Sequence, residues 1–270
     1  MTQRVDLDAY FERIGYAGAR TPTLDTLRAI HALHPRAIAF ENLNPLFGWP
    51  VRLDAESLEQ KLVRSRRGGY CFEQNLLFKH VLEALGFRVS GLAARVLWNQ
   101  PEDAITARGH MLLRVSVDGD DHVADVGFGG QTLTGPLRLV ADVEQETPHE
   151  PFRLVAAGQG FKMQSLIRDT WKTLYRFGLE EQFLVDYEVS NYYLSTHPSS
   201  HFRARVFAAR PLEDRRYGLL GHQLSTHWRD GTTERRVLDG PKEVREVLGS
   251  VFGIHVPEGP EIDAALARTG

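Results

Sequence analysis

The chain has 270 residues, 42% hydrophobic and 25% charged, an ordinary globular composition long enough to bury a sizeable core as one large domain or two to three small ones. A net charge of -3 with both signs interspersed excludes a field that would gather nucleic acid or an anionic membrane, so an anionic ligand would need local donors. A single cysteine excludes an internal disulfide framework; Met1-Thr2-Gln3-Arg4-Val5-Asp6 lacks a signal peptide's apolar core and no apolar run reaches membrane length, so a cytoplasmic protein is expected.

The first third reads as helical. Leu24, Leu27, Ile30 and Leu33 recur at roughly helical spacing after Pro22, and Asp54 is placed to cap a helix through Leu58 and Leu62. Phe78, Val81, Leu82 and Leu85 then repeat at i, i+3, i+4, i+7 until Gly86, which predicts a helix with Cys71 at or just before its N-terminus.

From about Phe87 the period shortens to that of strands. Expected strands cover 91–98, 111–117, 122–126, 137–140, 152–155, 161–167 and 171–177, separated by Gly, Asp and Pro as in an antiparallel sheet or small barrel. Beyond about Glu180 the types mix: strands are expected at 203–208 and 232–238, a helix after Pro241 with Val244, Val247, Leu248, Val251 and Phe252, and a short helix at 260–268. No repeat or low-complexity segment occurs, and the pattern divides the chain at 1–86, 87–185 and 186–270.

The lone cysteine lies in Arg66-Arg67-Gly68-Gly69-Tyr70-Cys71-Phe72-Glu73. A thiol attacks as its thiolate, which a helix N-terminus, the two arginines and a histidine elsewhere would favour. Gly68 and Gly69 would let the backbone turn tightly and leave amides near the sulfur for an oxyanion. The competing reading is an inert core cysteine.

Among 11 histidines His110 stands out, opening the β run His110-Met111-Leu112-Leu113-Arg114-Val115. The neighbouring run places Asp125 between Ala124 and Val126, where a buried carboxylate needs a partner and an imidazole on the next strand would serve. Its alternative is an aspartate capping the turn before the glycines. If Asp118 opposes Asp121 across the turn, Asp125 sits four residues along from His110's partner Gly129, roughly 13 Å away. A Cys-His-Asp site therefore requires a bulge or a shifted register.

These residues resemble the arylamine N-acetyltransferase family, with the bacterial type implied by the lack of room for an insertion in the last third. The resemblance rests on Phe40-Glu41-Asn42-Leu43, Arg67-Gly68-Gly69-Tyr70-Cys71-Phe72-Glu73-Gln74-Asn75, His110 before its strand, Asp125-Val126-Gly127-Phe128-Gly129 and, more weakly, Ser195-Thr196-His197-Pro198. It implies an α+β fold with a helical N-terminal domain, an antiparallel β-barrel middle domain and an α/β C-terminal lid around a papain-like core. It further implies acetyl transfer from acetyl-CoA to aromatic amines or hydrazines through an acetyl-cysteine, with Cys71 as nucleophile, His110 as base and Asp125 orienting the imidazole. Acetyl-CoA would be a co-substrate, with no tightly bound cofactor.

By the same resemblance Phe40, Phe128 and Phe202 would line an aromatic pocket flanked by Tyr70 and Phe72, for which the residues alone suggest core packing. Gly127, Gly129 and Gly130 would let the pantetheine pass, while in Thr226-His227-Trp228 the Trp would stack on adenine and the His meet phosphate. Glu73 and Asn75 would bond the neighbouring loop and hold Arg67. Three other readings stay open: a thiol hydrolase of papain or transglutaminase type, a macrolactam-forming amide synthase of the same family, and a catalytically silent CoA-binding or structural protein. One Cys and scattered His fit neither zinc-finger spacing nor H-E-x-x-H, so no metal site is expected.

Overall fold

The computed structural model describes residues 5–268; Met1 to Arg4, and Thr269 and Gly270, lie outside the described residues. The first third forms α1 (Leu7–Ile14), α2 (Leu24–Ala37), strand β1 (Phe40–Glu41), α3 (Leu43–Phe47), α4 (Ala55–Leu58), which runs on as a π turn over Glu59–Arg64, and α5 (Cys71–Ala84). Asp6, Thr23 and Asp54 cap α1, α2 and α4 by accepting the amides of Ala9, Thr26 and Ser57. Helix α5 is buried along most of its length, from Cys71 to Phe78 and again at Val81 and Leu82, which makes it the axis of the molecule.

The middle third is an eight-stranded antiparallel sheet of β2 (Arg88–Val96), β3 (His110–Val117), β4 (Asp120–Ala124), β5 (Leu137–Arg138), β6 (Glu144–Gln145), β7 (Phe152–Ala157), β8 (Gly160–Ile167) and β9 (Thr170–Gly178), in the order β5-β4-β3-β2-β9-β8-β7-β6. It curls into a near-closed barrel. The amide of Gln145 bridges its two edges, accepting from Arg138 N at 2.8 Å and donating to Arg138 O at 2.9 Å. Strand β3 is covered on both faces: Met111, Leu113 and Val115 join the helical core, while Leu112 faces the barrel core with Tyr175.

The last third comprises α6 (Leu184–Thr196), a 3-10 turn at His201–Arg203, β10 (Phe207–Pro211), β11 (Arg215–Leu220), β12 (Gln223–Trp228), β13 (Thr233–Val237), α7 (Gly240–Ser250) and α8 (Pro260–Leu266). Its sheet takes in β1 from the first third, in the order β1-β10-β11-β12-β13. The expected strand over 203–208 is replaced by the 3-10 turn followed by β10, while β13, α7 and α8 fall where the pattern placed them. Helix α6 and strands β11 and β12 were not anticipated. Among the described residues no helix is long and apolar enough to cross a membrane.

Candidate active site

Cys71 is the first residue of α5, where backbone N–H groups have no partner within the helix. The chain is brought there by close backbone contact: a Cβ on Gly68 would lie 2.0 Å from Ala39 O, and Glu41 N donates to Gly69 O at 3.1 Å. Glu73 accepts from Tyr70 N at 3.1 Å and ion-pairs with Lys61 at 2.6 Å. The expectation that the two arginines polarise the thiol is not met. Arg66 is exposed, and the buried Arg67 gives its charge to Glu41 through Nε and Nη2 at 2.9 and 2.7 Å. Glu41, not Glu73, therefore holds Arg67. Asn75 serves a different task.

The β3–β4 hairpin has the shifted register that a Cys-His-Asp site requires. Asp118 and Gly119 occupy the two turn positions with φ of 54° and 87°, so Val117 pairs with Asp120 and Leu113 with Ala124. Extending this register puts Asp125 opposite Leu112, only two residues from His110 on the same face. Such a diagonal separates residues by about 7–8 Å, within reach of an imidazole. His110 Nε2 and Asp125 Oδ2 are 2.7 Å apart, and both side chains are buried.

Asp125 is held from several sides. Oδ2 also accepts from Tyr175 Oη at 2.9 Å, and Oδ1 accepts from Asn75 Nδ2 and Gly127 N, each at 3.0 Å. Burial opposes its ionisation, but the His110 charge and these hydrogen bonds outweigh it and keep the carboxyl below its usual range. Burial likewise acts against an imidazolium at His110. The charge and hydrogen bond of Asp125, followed by contact with Cys71, overcome it and raise His110 to about 10. With Nε2 turned to Asp125, Nδ1 is the ring nitrogen left for the sulfur. Tyr175 is pushed well above the ordinary tyrosine value, by burial first and by Asp125 second, and stays a neutral donor.

Cys71 and His110 open onto a cavity of about 890 Å³ between barrel and C-terminal sheet. Of the other residues singled out in the sequence, Phe40, Phe128, Phe202, Gly127, Gly130 and His227 line it. The Phe128 ring stands edge to face against His110 at 5.2 Å. Tyr70 and Phe72 do not line it; both are fully buried behind the wall, with Tyr70 edge to face on Phe202 at 5.3 Å. Gly129, with φ of 90°, is not in the wall. Neither is Trp228, which alternates to the other face of β12 and is covered by the Arg215 guanidinium at 3.7 Å.

A Cβ on Gly127 would lie 2.9 Å from Cys71 Cα and 2.8 Å from Asn75 Nδ2, whereas one on Gly130 would meet nothing within 4 Å. Gly127 is thus a packing position between Cys71 and Asn75. Trp98, Phe207, Arg216 and Arg235, which carry no signal in the sequence pattern, also stand in the wall. Arg216 is buried, ion-paired with Glu150 at 2.8 Å and bonded to Thr132 O at 3.0 Å. Arg235, Arg168 and Arg216, after burial, lower the pKa of His227. Among the described residues lining the cavity none is Asp or Glu. A larger hollow of about 1460 Å³ lies among charged side chains behind Lys61 and Glu73 and is lined by none of Cys71, His110 and Asp125. Among the described residues no cluster of His, Cys, Asp and Glu could hold a metal ion.

A sequence model of a family described as N-acetyltransferase matches residues 23–260. The arylamine N-acetyltransferase of Mycobacterium tuberculosis (strain ATCC 25618 / H37Rv) is 45% identical, covering 98% of this chain and 97% of that protein. That of Escherichia coli (strain K12) is 42% identical, covering 93% and 90%. Among solved structures, Mycobacterium marinum arylamine N-acetyltransferase superposes with a TM-score of 0.95 at 45% identity, covering 98% of this chain and 99% of that one. The structure of that enzyme in complex with CoA gives 0.94 over the same shares.

Proposed function

The chain belongs to the arylamine N-acetyltransferase family, and on that premise we propose that Cys71, His110 and Asp125 move an acetyl group from acetyl-CoA to the nitrogen of an aromatic amine or hydrazine. The observation that carries the assignment is the sulfur at a helix N-terminus, lining a cavity, beside an imidazole whose other nitrogen is bound to a buried carboxylate.

In the first half-reaction Cys71 gives its proton to His110 Nδ1, and Asp125 stabilises the imidazolium that forms. Sγ attacks the acetyl carbonyl, the bond to the CoA sulfur breaks, and CoA leaves with the proton from His110. In the second, the amine nitrogen attacks the acetyl-cysteine, His110 accepts its proton, and the Cys71 sulfur is released. The free N–H groups at the start of α5 are placed to receive the developing oxyanion. Kinetics are ping-pong.

Phe40, Phe128, Phe202 and Phe207 give the cavity flat apolar walls, which suit an aryl ring and limit water at the thioester. A wall that carries Arg235 and, among its described residues, no carboxylate disfavours a protonated alkylamine. An aryl amine, neutral at pH 7, meets no such penalty. Arg235 and His227 supply the local donors that the phosphates of CoA need, and Gly130 leaves room for pantetheine. Residues 1–86, 87–185 and 186–270 act as helical, barrel and lid units of one cytoplasmic enzyme.

Incubation with acetyl-CoA and an aryl hydrazine tests the reading. Acetylated product with parallel initial-rate lines is expected. Free CoA without product would indicate a hydrolase, and turnover of carrier-bound acyl groups but not of acetyl-CoA would indicate an amide synthase.

A further inference from the structure

We propose that His31, on α2, is a positioning residue for the catalytic carboxylate: its Nε2 accepts the backbone N–H of Asp125 at 3.1 Å and fixes the segment that aims the carboxylate at His110. The proposal rests on the triad reading above.

Strand β4 ends at Ala124, the last residue paired with β3, so the buried Asp125 amide has no ladder acceptor. A buried amide must find one. It is supplied from 94 residues away, by a fully buried imidazole of the helical unit. For Nε2 to accept, the ring must be neutral with its proton on Nδ1. Nδ1 is buried and meets no hydrogen-bond partner on another of the described residues, a cost that an apolar residue chosen only for packing would avoid. What such a residue could not do is accept from Asp125. The groups facing His31 are Asp125, the edge-to-face Phe78 ring at 5.7 Å and His34, itself bonded to Tyr10 and Gln74. Burial lowers His31 to about 4 against the upward pull of Asp125, so the ring is neutral at pH 7.

Asn75 and Gly127 fix Oδ1 of the carboxylate, while His31 fixes the backbone from which it projects. Without that acceptor the Asp125 amide must move to find another. The carboxylate then leaves its line with His110 Nε2, and the imidazolium loses its main support.

The test compares His31→Leu and His31→Met, which remove the acceptor, with His31→Gln, whose Oε1 restores one. NMR titration of the His110 ring nitrogens and kcat for acetylation of an aryl hydrazine are measured beside the thermal melt. The apolar variants should lower kcat about tenfold and the His110 midpoint by about one pH unit; His31→Gln should recover both. A His110 midpoint and kcat at parent values in either folded apolar variant, whatever the melt does, would overturn the proposal. If the parent His110 itself titrates near its ordinary value, the triad reading fails instead.

Discussion

Gly127→Ala separates two roles for the glycines after Asp125. The added methyl would stand 2.8 Å from Asn75 Nδ2, 2.9 Å from Cys71 Cα and 3.1 Å from Cys71 O. Carbon contacts settle near 3.5 Å, so the 125–130 segment must retreat from α5 by roughly 0.6 Å. The helix cannot yield, because its first turn is pinned by the Tyr70–Glu73 and Lys61–Glu73 bonds. Overpacking of this kind costs about 1–3 kcal/mol. Gly127 N also donates to Asp125 Oδ1, so the retreat carries the carboxylate with it. Misplacement by 1 Å costs on the order of 100-fold in rate, which puts the expected loss in kcat at about tenfold to 100-fold. The assay is steady-state CoA release with acetyl-CoA and a saturating aryl hydrazine, beside a urea melt. Gly130→Ala, whose methyl meets open space, should melt like the parent and express its effect in the acetyl-CoA KM. A Gly127→Ala enzyme with kcat within twofold of the parent and an unchanged melt would refute the packing argument.

Asp125→Asn should lower kcat by about 100-fold to 10,000-fold through a misoriented imidazole, with the His110 midpoint falling from its raised value; near-normal turnover would remove Asp125 from the mechanism. His227→Ala should raise the acetyl-CoA KM with little change in kcat, whereas Trp228→Ala, on the far face under Arg215, should not; equal effects would contradict the placement of the two side chains. Buried His31 and His34, lowered to about 4 and about 3, lie below their unfolded value near 6.5. Their stabilisation is full above pH 6.5 and is lost as pH falls toward 4, by up to about 1.4 kcal/mol per histidine per pH unit. His110, raised to about 10, acts in the opposite sense: its contribution is full below pH 6.5 and is lost as pH rises through 10. Urea midpoints across this range should show an acid limb that flattens in His34→Gln and an alkaline limb that flattens in His110→Asn; limbs unchanged in both variants would contradict these assignments.

The sequence made the apolar parts of this molecule legible. Helix α5, strand β3 and helix α7 have periodic apolar faces that meet cores, and their positions follow from pattern alone. Helix α6 blurs the pattern. Beside Tyr187 and Leu194 it buries Asn191 and Ser195, with Asn191 bonded to the Tyr70 hydroxyl, and it exposes Val185, Val189 and Tyr192. Strands β11 and β12 were hidden for a related reason, since they turn Arg216, Gln223, Ser225 and His227 toward the cavity. The hairpin register did carry a readable signal. Asp118-Gly119 is the dipeptide a two-residue turn with positive φ prefers, and reading it so brings Asp125 to His110 without a bulge. Cys71, His110 and Asp125 stood out by chemistry and by resemblance; His31 and Tyr175 did not, because their roles exist only where distant segments meet.

The central claim is that the Cys71 sulfur carries the acetyl group between donor and acceptor. Mixing the enzyme with acetyl-CoA in the absence of any amine, quenching in acid and mapping the peptides tests it directly. One acetyl group on Cys71, formed with one equivalent of CoA released and absent in Cys71→Ser, is the predicted result. An unmodified Cys71 with CoA release only after the amine is added would contradict it.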